Sequence, residues 1–161
     1  DKKELSYLFK IIRRELDYWE KKDEAEDKGV RINPIGRLWV LPKDVMKKCI
    51  EVAKKTAKNS TIKVNLAIGY GGREEIVHAV KQLLQKRQKV NEKNISKNLW
   101  LDSEPELVIR TSGEYRTSNF IIWQAYYSEW FFSKKYWPAF DKKELVKAVK
   151  EYGKRERRVG K

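Results

Sequence analysis

The densest chemistry in this sequence lies in ten consecutive residues, Arg110-Thr111-Ser112-Gly113-Glu114-Tyr115-Arg116-Thr117-Ser118-Asn119. An arginine presents a planar fork of donors that matches phosphate oxygens bidentately. Hydroxyl groups at 111, 112, 117 and 118 can donate to the remaining oxygens. Gly113 would let backbone N–H groups come close to an anion. The stretch suits a phosphate or a diphosphate. It equally suits a polar turn whose arginines pair with Glu114 or with a helix end, and spacing alone leaves both open.

The elements around it must position it. Glu106-Leu107-Val108-Ile109 is a short, mostly apolar run that predicts a buried strand ending at Arg110. Ligands of open α/β sheets bind outside the C-terminal ends of such strands. Downstream, Phe120 to Tyr127 predicts a short helix and Glu129 to Phe132 a last strand. A glutamate opening an apolar strand is costly unless something binds it. A salt bridge to an arginine and a metal ligand both satisfy that need.

Toward the front, Leu5, Leu8, Ile11, Ile12 and Leu16 recur at helical spacing and predict an amphipathic helix over 2–28, stopped by Gly29. Val30 to Gly36 predicts a strand, at a sheet edge or ending early because of Pro34. Pro42 suits the first turn of a helix, with Val45, Met46, Cys49, Ile50, Ala53 and Ala57 on one face. Ile62 to Ile68 predicts a buried strand. The glycine-rich turn after it, Gly69 to Glu75, would present helix N–H groups to an anion or serve close packing. Ile76, Val77, Val80, Leu83 and Leu84 mark the face of the next helix, and a second short helix falls within 86–102. Asp141 and Glu144 form a capping box ahead of a final helix with Leu145, Ala148, Val149 and Tyr152 on its face.

The 161 residues amount to one domain, 1–161, with 40% hydrophobic and 12% aromatic content, which excludes a disordered chain. No window approaches the roughly 20 apolar residues that span a bilayer. Cys49 is the one cysteine, so neither an internal disulfide nor a cysteine zinc cluster can form, as in a reducing cytoplasm. Its place on an amphipathic helix predicts an inert core thiol. His78, the one histidine, allows no histidine metal cluster. The net charge is +14, and residues 134–161 carry +7 of it, so anionic partners are expected: nucleic acid, lipid head groups or phosphorylated substrates. The nineteen aromatics sit mainly in apolar runs rather than on a basic exposed face, which argues against nucleic acid.

From Arg110 onward, the chain resembles the C-terminal signature of the cis-prenyltransferases, the undecaprenyl diphosphate synthase family. The Arg110 to Asn119 stretch is followed by Phe120, by Trp123-Gln124, by Glu129 before Trp130-Phe131, and by Trp137-Pro138-Ala139-Phe140. The resemblance extends back to Val64 through Arg73 and forward to Arg155 through Gly160. It implies an α/β fold, an open and mostly parallel sheet flanked by helices, here without the family's N-terminal strands. It implies a transferase that condenses isopentenyl diphosphate with an allylic prenyl diphosphate into a long-chain polyprenyl diphosphate lipid carrier.

Carried over by position, the resemblance implies that Arg110, Arg116 and Ser118 hold isopentenyl diphosphate and that Glu129 contributes to a Mg²⁺ site. Arg158 and Gly160 would reach a partner subunit's diphosphate site in a homodimer. Leu5, Leu8 and Ile12 would line a hydrophobic tunnel. A cytoplasmic enzyme with peripheral membrane contact is expected. Three positions depart from the family: Arg37 stands where an Asp is usual, Gly69 replaces an Asn, and Tyr115 replaces a His found in some bacterial members. The family's opening Asp-Gly-Asn-x-Arg-x-Ala segment, with its metal-binding aspartate, does not occur in this sequence. No catalytic residue is therefore assigned, and the chain alone is expected to be inactive, as part of a longer enzyme. The rival reading is a non-catalytic subunit of a heteromeric cis-prenyltransferase, which generally loses the Arg-Thr-Ser-Gly-Glu motif that this chain keeps.

Overall fold

A computed structural model describes residues 2–21 and 24–156. The chain divides into two compact units, Asp1–Tyr70 and Gly71–Lys161.

The first unit orders as α1 (Lys2–Lys21), a helical turn α2 (Glu24–Asp27), β1 (Val30–Ile35), α3 (Lys43–Lys55) and β2 (Ile62–Ala67). Gly29, at φ +62°, ends the helical segment as its sequence position predicts. Strands β1 and β2 pair in parallel along their full lengths, from Val30 beside Ile62 to Ile35 beside Ala67. Pro34 does not cut β1 short: it pairs with Leu66, and the strand runs on to Ile35. At Gly36 the backbone takes φ +106°, and a Cβ there would stand 2.3 Å from the Ile68 carbonyl oxygen. Only glycine fits that exit.

Leu16 of α1, Ile32 of β1, and Val45, Cys49 and Val52 of α3 form the core of this unit. Thr56 is fully buried; its hydroxyl donates to the Val52 carbonyl at 2.9 Å and accepts the Ile32 N–H at 3.0 Å. A backbone donor that β1 would otherwise leave orphaned is thereby satisfied. Arg13 pairs with Asp44 at 2.5 Å, and Lys48 with Asp17, tying α1 to α3.

Several periodicity expectations differ from the structure. Pro42 is the residue before α3, not within its first turn. Ile50 faces solvent while Val52 is buried. Leu5 and Leu8 are exposed, and only Ile12 and Leu16 of the α1 stripe turn to the core. Strand β2 is half-exposed: Val64 and Leu66 pack on the core, Ile62 on the same face at the strand's start is exposed, and Ala67 lies on the opposite face.

The second unit orders as α4 (Gly72–Gln85), α5 (Glu92–Asn98), β3 (Leu107–Arg110), β4 (Glu129–Phe132) and α6 (Lys142–Tyr152). Strands β3 and β4 again pair in parallel, Leu107 beside Glu129 and Arg110 beside Phe132. Asn91 caps α5, accepting the Asn94 N–H at 2.9 Å. Asp141 caps α6, accepting the Glu144 N–H at 3.0 Å. The Glu144 carboxylate does not close the expected box; it accepts from the Ser133 hydroxyl at 2.8 Å instead.

Phe120 to Tyr127 forms successive turns rather than a helix. Ser118, Asn119 and Ile121 all take positive φ, which a right-handed helix forbids. On α4, Val77 and Leu84 are exposed, whereas Glu75 is fully buried, as are Ala79 and Leu83. On α6, Leu145 and Val149 are exposed and Ala148 alone is buried. No described helix is long and apolar enough to cross a membrane.

Candidate functional site

Strand β3 ends at Arg110, and the chain then leaves the sheet. The Ser112 N–H donates to the Lys135 carbonyl at 2.8 Å and the Gly113 N–H to the Ser133 carbonyl at 2.9 Å. Those two donors therefore close the turn and do not face an anion. Ser112 and Gly113 both adopt left-handed backbone, φ +74° and +71°, which is what lets the chain fold back onto the end of β4.

The returning limb brings Ser118 to Arg110. The Arg110 Nη1 donates to the Ser118 hydroxyl at 2.9 Å and also to the Arg116 carbonyl oxygen. Among the described residues, the Nε and Nη2 of Arg110 make no hydrogen bond, so one edge of the fork stays open. A hollow of about 310 Å³ lies against this residue. Arg110, Thr111, Ser112, Thr117 and Ser118 line it, with Trp130 among its apolar lining. Its polar lining thus pairs a guanidinium with four hydroxyl-bearing residues and no carboxylate.

The other residues expected at the site sit differently. Arg116 does not line the hollow; its guanidinium pairs with Glu114 at 3.0 Å and is well exposed. Glu129 opens β4 beside Leu107, three residues before Arg110 in the register, about 10 Å along a strand. Its carboxylate is held by Arg155, whose Nη2 also donates to the Trp130 carbonyl at 3.1 Å. Tyr115 packs against Phe132, the rings tilted by 35° with centres 5.0 Å apart. Arg37 donates through Nε to the Gly69 carbonyl at 3.1 Å, so it braces the turn after β2. Arg158 and Gly160 lie outside the described residues.

Among the described residues no three acidic, histidine or cysteine side chains gather where a metal could sit. Glu129 offers one carboxylate, already engaged by Arg155. Magnesium takes six oxygens in near-octahedral geometry, usually from one or two carboxylates, waters and substrate phosphates. The described residues do not make such a site by themselves.

Two supporting residues escaped the sequence reading. Asn119 holds the start of α4: its carbonyl accepts the Gly72 N–H at 2.7 Å, and its side-chain oxygen accepts the Arg73 N–H at 2.9 Å. The glycine turn therefore serves close packing, since Asn119 takes the N–H groups that an anion would have used. A Cβ on Gly72 would stand 2.8 Å from Ile122 and 3.1 Å from the Asn119 carbonyl. Glu75 accepts the Leu101 N–H at 2.8 Å and the Gln124 amide at 2.9 Å. Together they anchor the segment that carries Arg116 and Ser118. A glutamate in the first turn of a helix signals dipole matching, and nothing local betrays its burial.

The fold and this hollow define an α/β protein with a cationic, hydroxyl-rich recess at the C-terminal end of a parallel strand. The model of the undecaprenyl diphosphate synthase family matches residues 1–160. The chain is 40% identical to isoprenyl transferase 1 of Corynebacterium diphtheriae over 98% of its own length. It spans 63% of that relative. A crystal structure of a probable undecaprenyl diphosphate synthase from Campylobacter jejuni superposes with a TM-score of 0.92 at 37% identity, covering all of this chain and 76% of that one. Lavandulyl diphosphate synthase from Lavandula x intermedia, solved with dimethylallyl diphosphate, superposes with a TM-score of 0.89 at 27% identity, covering all of this chain and 73% of that one. The chain belongs to the undecaprenyl diphosphate synthase family of prenyltransferases.

Proposed function

We propose that the chain is part of a polyprenyl diphosphate synthase that condenses isopentenyl diphosphate with an allylic prenyl diphosphate, yielding a long-chain polyprenyl diphosphate lipid carrier. The carrying observation is the open edge of the Arg110 guanidinium in a hollow ringed by Thr111, Ser112, Thr117 and Ser118. A diphosphate needs several donors converging on clustered oxygens, and a guanidinium beside hydroxyls supplies them. Held by its head group, the isopentenyl unit can be aimed at the allylic carbon, which turns a bimolecular encounter into an oriented one.

In this reading residues 1–161 act as one partial catalytic domain. Arg116 joins the substrate when it exchanges Glu114 for a phosphate. Arg158 and Gly160 complete the site of a second subunit. A homodimer is supported by the exposed apolar side chains of Tyr136, Trp137, Leu145 and Val149. Magnesium is the proposed cofactor, with Glu129 as this chain's ligand once Arg155 releases it. The allylic chain lies along Leu5, Leu8 and Ile12. The cytoplasm, at the membrane surface that receives the lipid product, is the proposed location, and the basic stretch 134–161 suits anionic head groups.

Calorimetric titration of the purified chain with isopentenyl diphosphate tests the reading. Saturable binding that inorganic diphosphate displaces and that Arg110→Ala weakens on the order of 100-fold is expected. A wild-type chain that folds yet binds neither ligand overturns it.

A further inference from the structure

The turn after β3 is fastened to the residues that follow β4, and those residues are fastened in turn to α6. The Ser133 N–H donates to the Arg110 carbonyl at 2.8 Å. The Gly113 N–H donates to the Ser133 carbonyl at 2.9 Å, and the Ser112 N–H to the Lys135 carbonyl at 2.8 Å. Ser133 sits where these bonds converge and is 3% exposed. Its hydroxyl donates to Glu144 at 2.8 Å and accepts the Lys135 N–H at 3.2 Å. Its N–H and carbonyl thus serve Arg110 and Gly113, while its hydroxyl serves α6.

The α6 end of this chain of bonds is itself held in place. Asp141 caps the helix by accepting the Glu144 N–H at 3.0 Å. The Lys135 ammonium lies 3.6 Å from the Asp141 carboxylate and 3.9 Å from that of Glu144. A hydroxyl bonded to an ionised carboxylate makes a stronger bond than one between neutral groups. The helix already packs through Ala148, which is fully buried, so packing alone does not call for a carboxylate at 144.

The turn at the other end needs such support. Ser112 takes φ +74° and Gly113 φ +71°. Glycine adopts that backbone freely, but a serine does so at a cost, and it stays there only where its surroundings hold it. Ser112 is also one of the residues that line the Arg110 hollow.

We propose that Ser133 and Glu144 are positioning residues for that hollow: they clip the start of α6 to the turn after β3, and so keep Thr111 and Ser112 on the wall beside Arg110. Neither residue lines the hollow, so each acts on a ligand only through the turn. The inference rests on the diphosphate reading and adds to it the residues that shape the anion's seat. When the clip is lost, Ser112 relaxes toward right-handed backbone and the hydroxyls no longer converge with the guanidinium.

The test joins amide hydrogen exchange, followed by NMR, to calorimetric titration with isopentenyl diphosphate and with inorganic diphosphate. Glu144→Ala is expected to speed exchange at Ser112 and Gly113 about 10-fold and to weaken both ligands about 10-fold. Glu144→Gln keeps an oxygen that accepts from the Ser133 hydroxyl, so it is expected to stay within about 3-fold of the parent on both readouts. Ala148→Gly destabilises α6 without touching the clip; it is expected to lower the urea midpoint and leave both affinities unchanged. Ser133→Ala, expected to lose as much as Glu144→Ala, takes its place should that variant fail to fold. Parent-like exchange and affinity in Glu144→Ala and Ser133→Ala would overturn the proposal. So would a Glu144→Gln variant as weak as Glu144→Ala, or an equal loss of affinity in Ala148→Gly. A parent chain that folds but binds neither ligand overturns the diphosphate reading, and this proposal with it; a parent that binds beside variants that bind equally well overturns this proposal alone.

Discussion

Arg110 and Ser118 meet across one turn: the guanidinium Nη1 donates to the serine hydroxyl at 2.9 Å, and the other edge of the fork, on a residue that lines the hollow, makes no hydrogen bond among the described residues. The serine orients the arginine before any ligand arrives. Preorganised donors lose less entropy on binding than mobile ones.

Arg110→Ala is expected to weaken isopentenyl diphosphate binding on the order of 100-fold, since charge-assisted hydrogen bonds contribute about 1.5–3 kcal/mol each. Arg110→Lys keeps the charge but not the fork, and it should recover only part of the loss. Ser118→Ala frees the guanidinium and should cost less, about 10-fold. Calorimetry on the three variants orders them.

Glu75→Ala is expected to destabilise the second unit by about 2–5 kcal/mol, because the Leu101 N–H and the Gln124 amide would both lose their buried acceptor. Urea unfolding should show a lower midpoint. Isopentenyl diphosphate binding should weaken alongside, since the anchored segment carries Ser118.

Cys49 is fully buried in the core of the first unit, and burial pushes its thiol pKa up. The reactive species is the thiolate. A disulfide reagent at pH 8 should leave the folded chain unmodified and label it rapidly in denaturant. Fast labelling without denaturant would contradict this packing.

Asp141 is held below the ordinary aspartate range, chiefly by the Glu144 N–H that it caps and also by Lys135. A carboxylate depressed in the fold adds stability above its unfolded value near pH 4, and that stability is lost as pH falls through the folded value. Asp44, held down by Arg13, shifts in the same direction. Asp141→Asn keeps the cap without the titration. Its urea midpoint should fall less steeply than the parent's between pH 4 and pH 2.

Much of this was legible in order along the chain. Strand periodicity placed the C-terminal end of β3 at Arg110, and the Asp141 cap was evident from a residue type at a fixed offset. Such features depend on neighbours a few residues away, which a linear chain displays directly. Helix faces were less legible. Val77, Leu84, Ile50, Leu145 and Val149 are apolar at the right period yet exposed, because period says that a face exists and not what covers it. The turns from Phe120 to Tyr127 are hidden in the sequence for a related reason: the positive φ at Ser118, Asn119 and Ile121 goes with the bonds from Gly72 and Arg73 to Asn119, more than forty residues earlier in the chain.

The sequence by itself determined which groups are available: guanidinium, hydroxyl and glycine in one short stretch after a strand. Only tertiary structure decided which of them converge. It turned Ser118 toward Arg110, spent the N–H groups of Ser112 and Gly113 on the end of β4, gave Arg116 to Glu114 and Glu129 to Arg155, and buried Glu75 beneath the loop. The reason is that hydrogen-bond donors and acceptors are satisfied by whatever packing brings near, and those pairings reach across separations that no local pattern encodes.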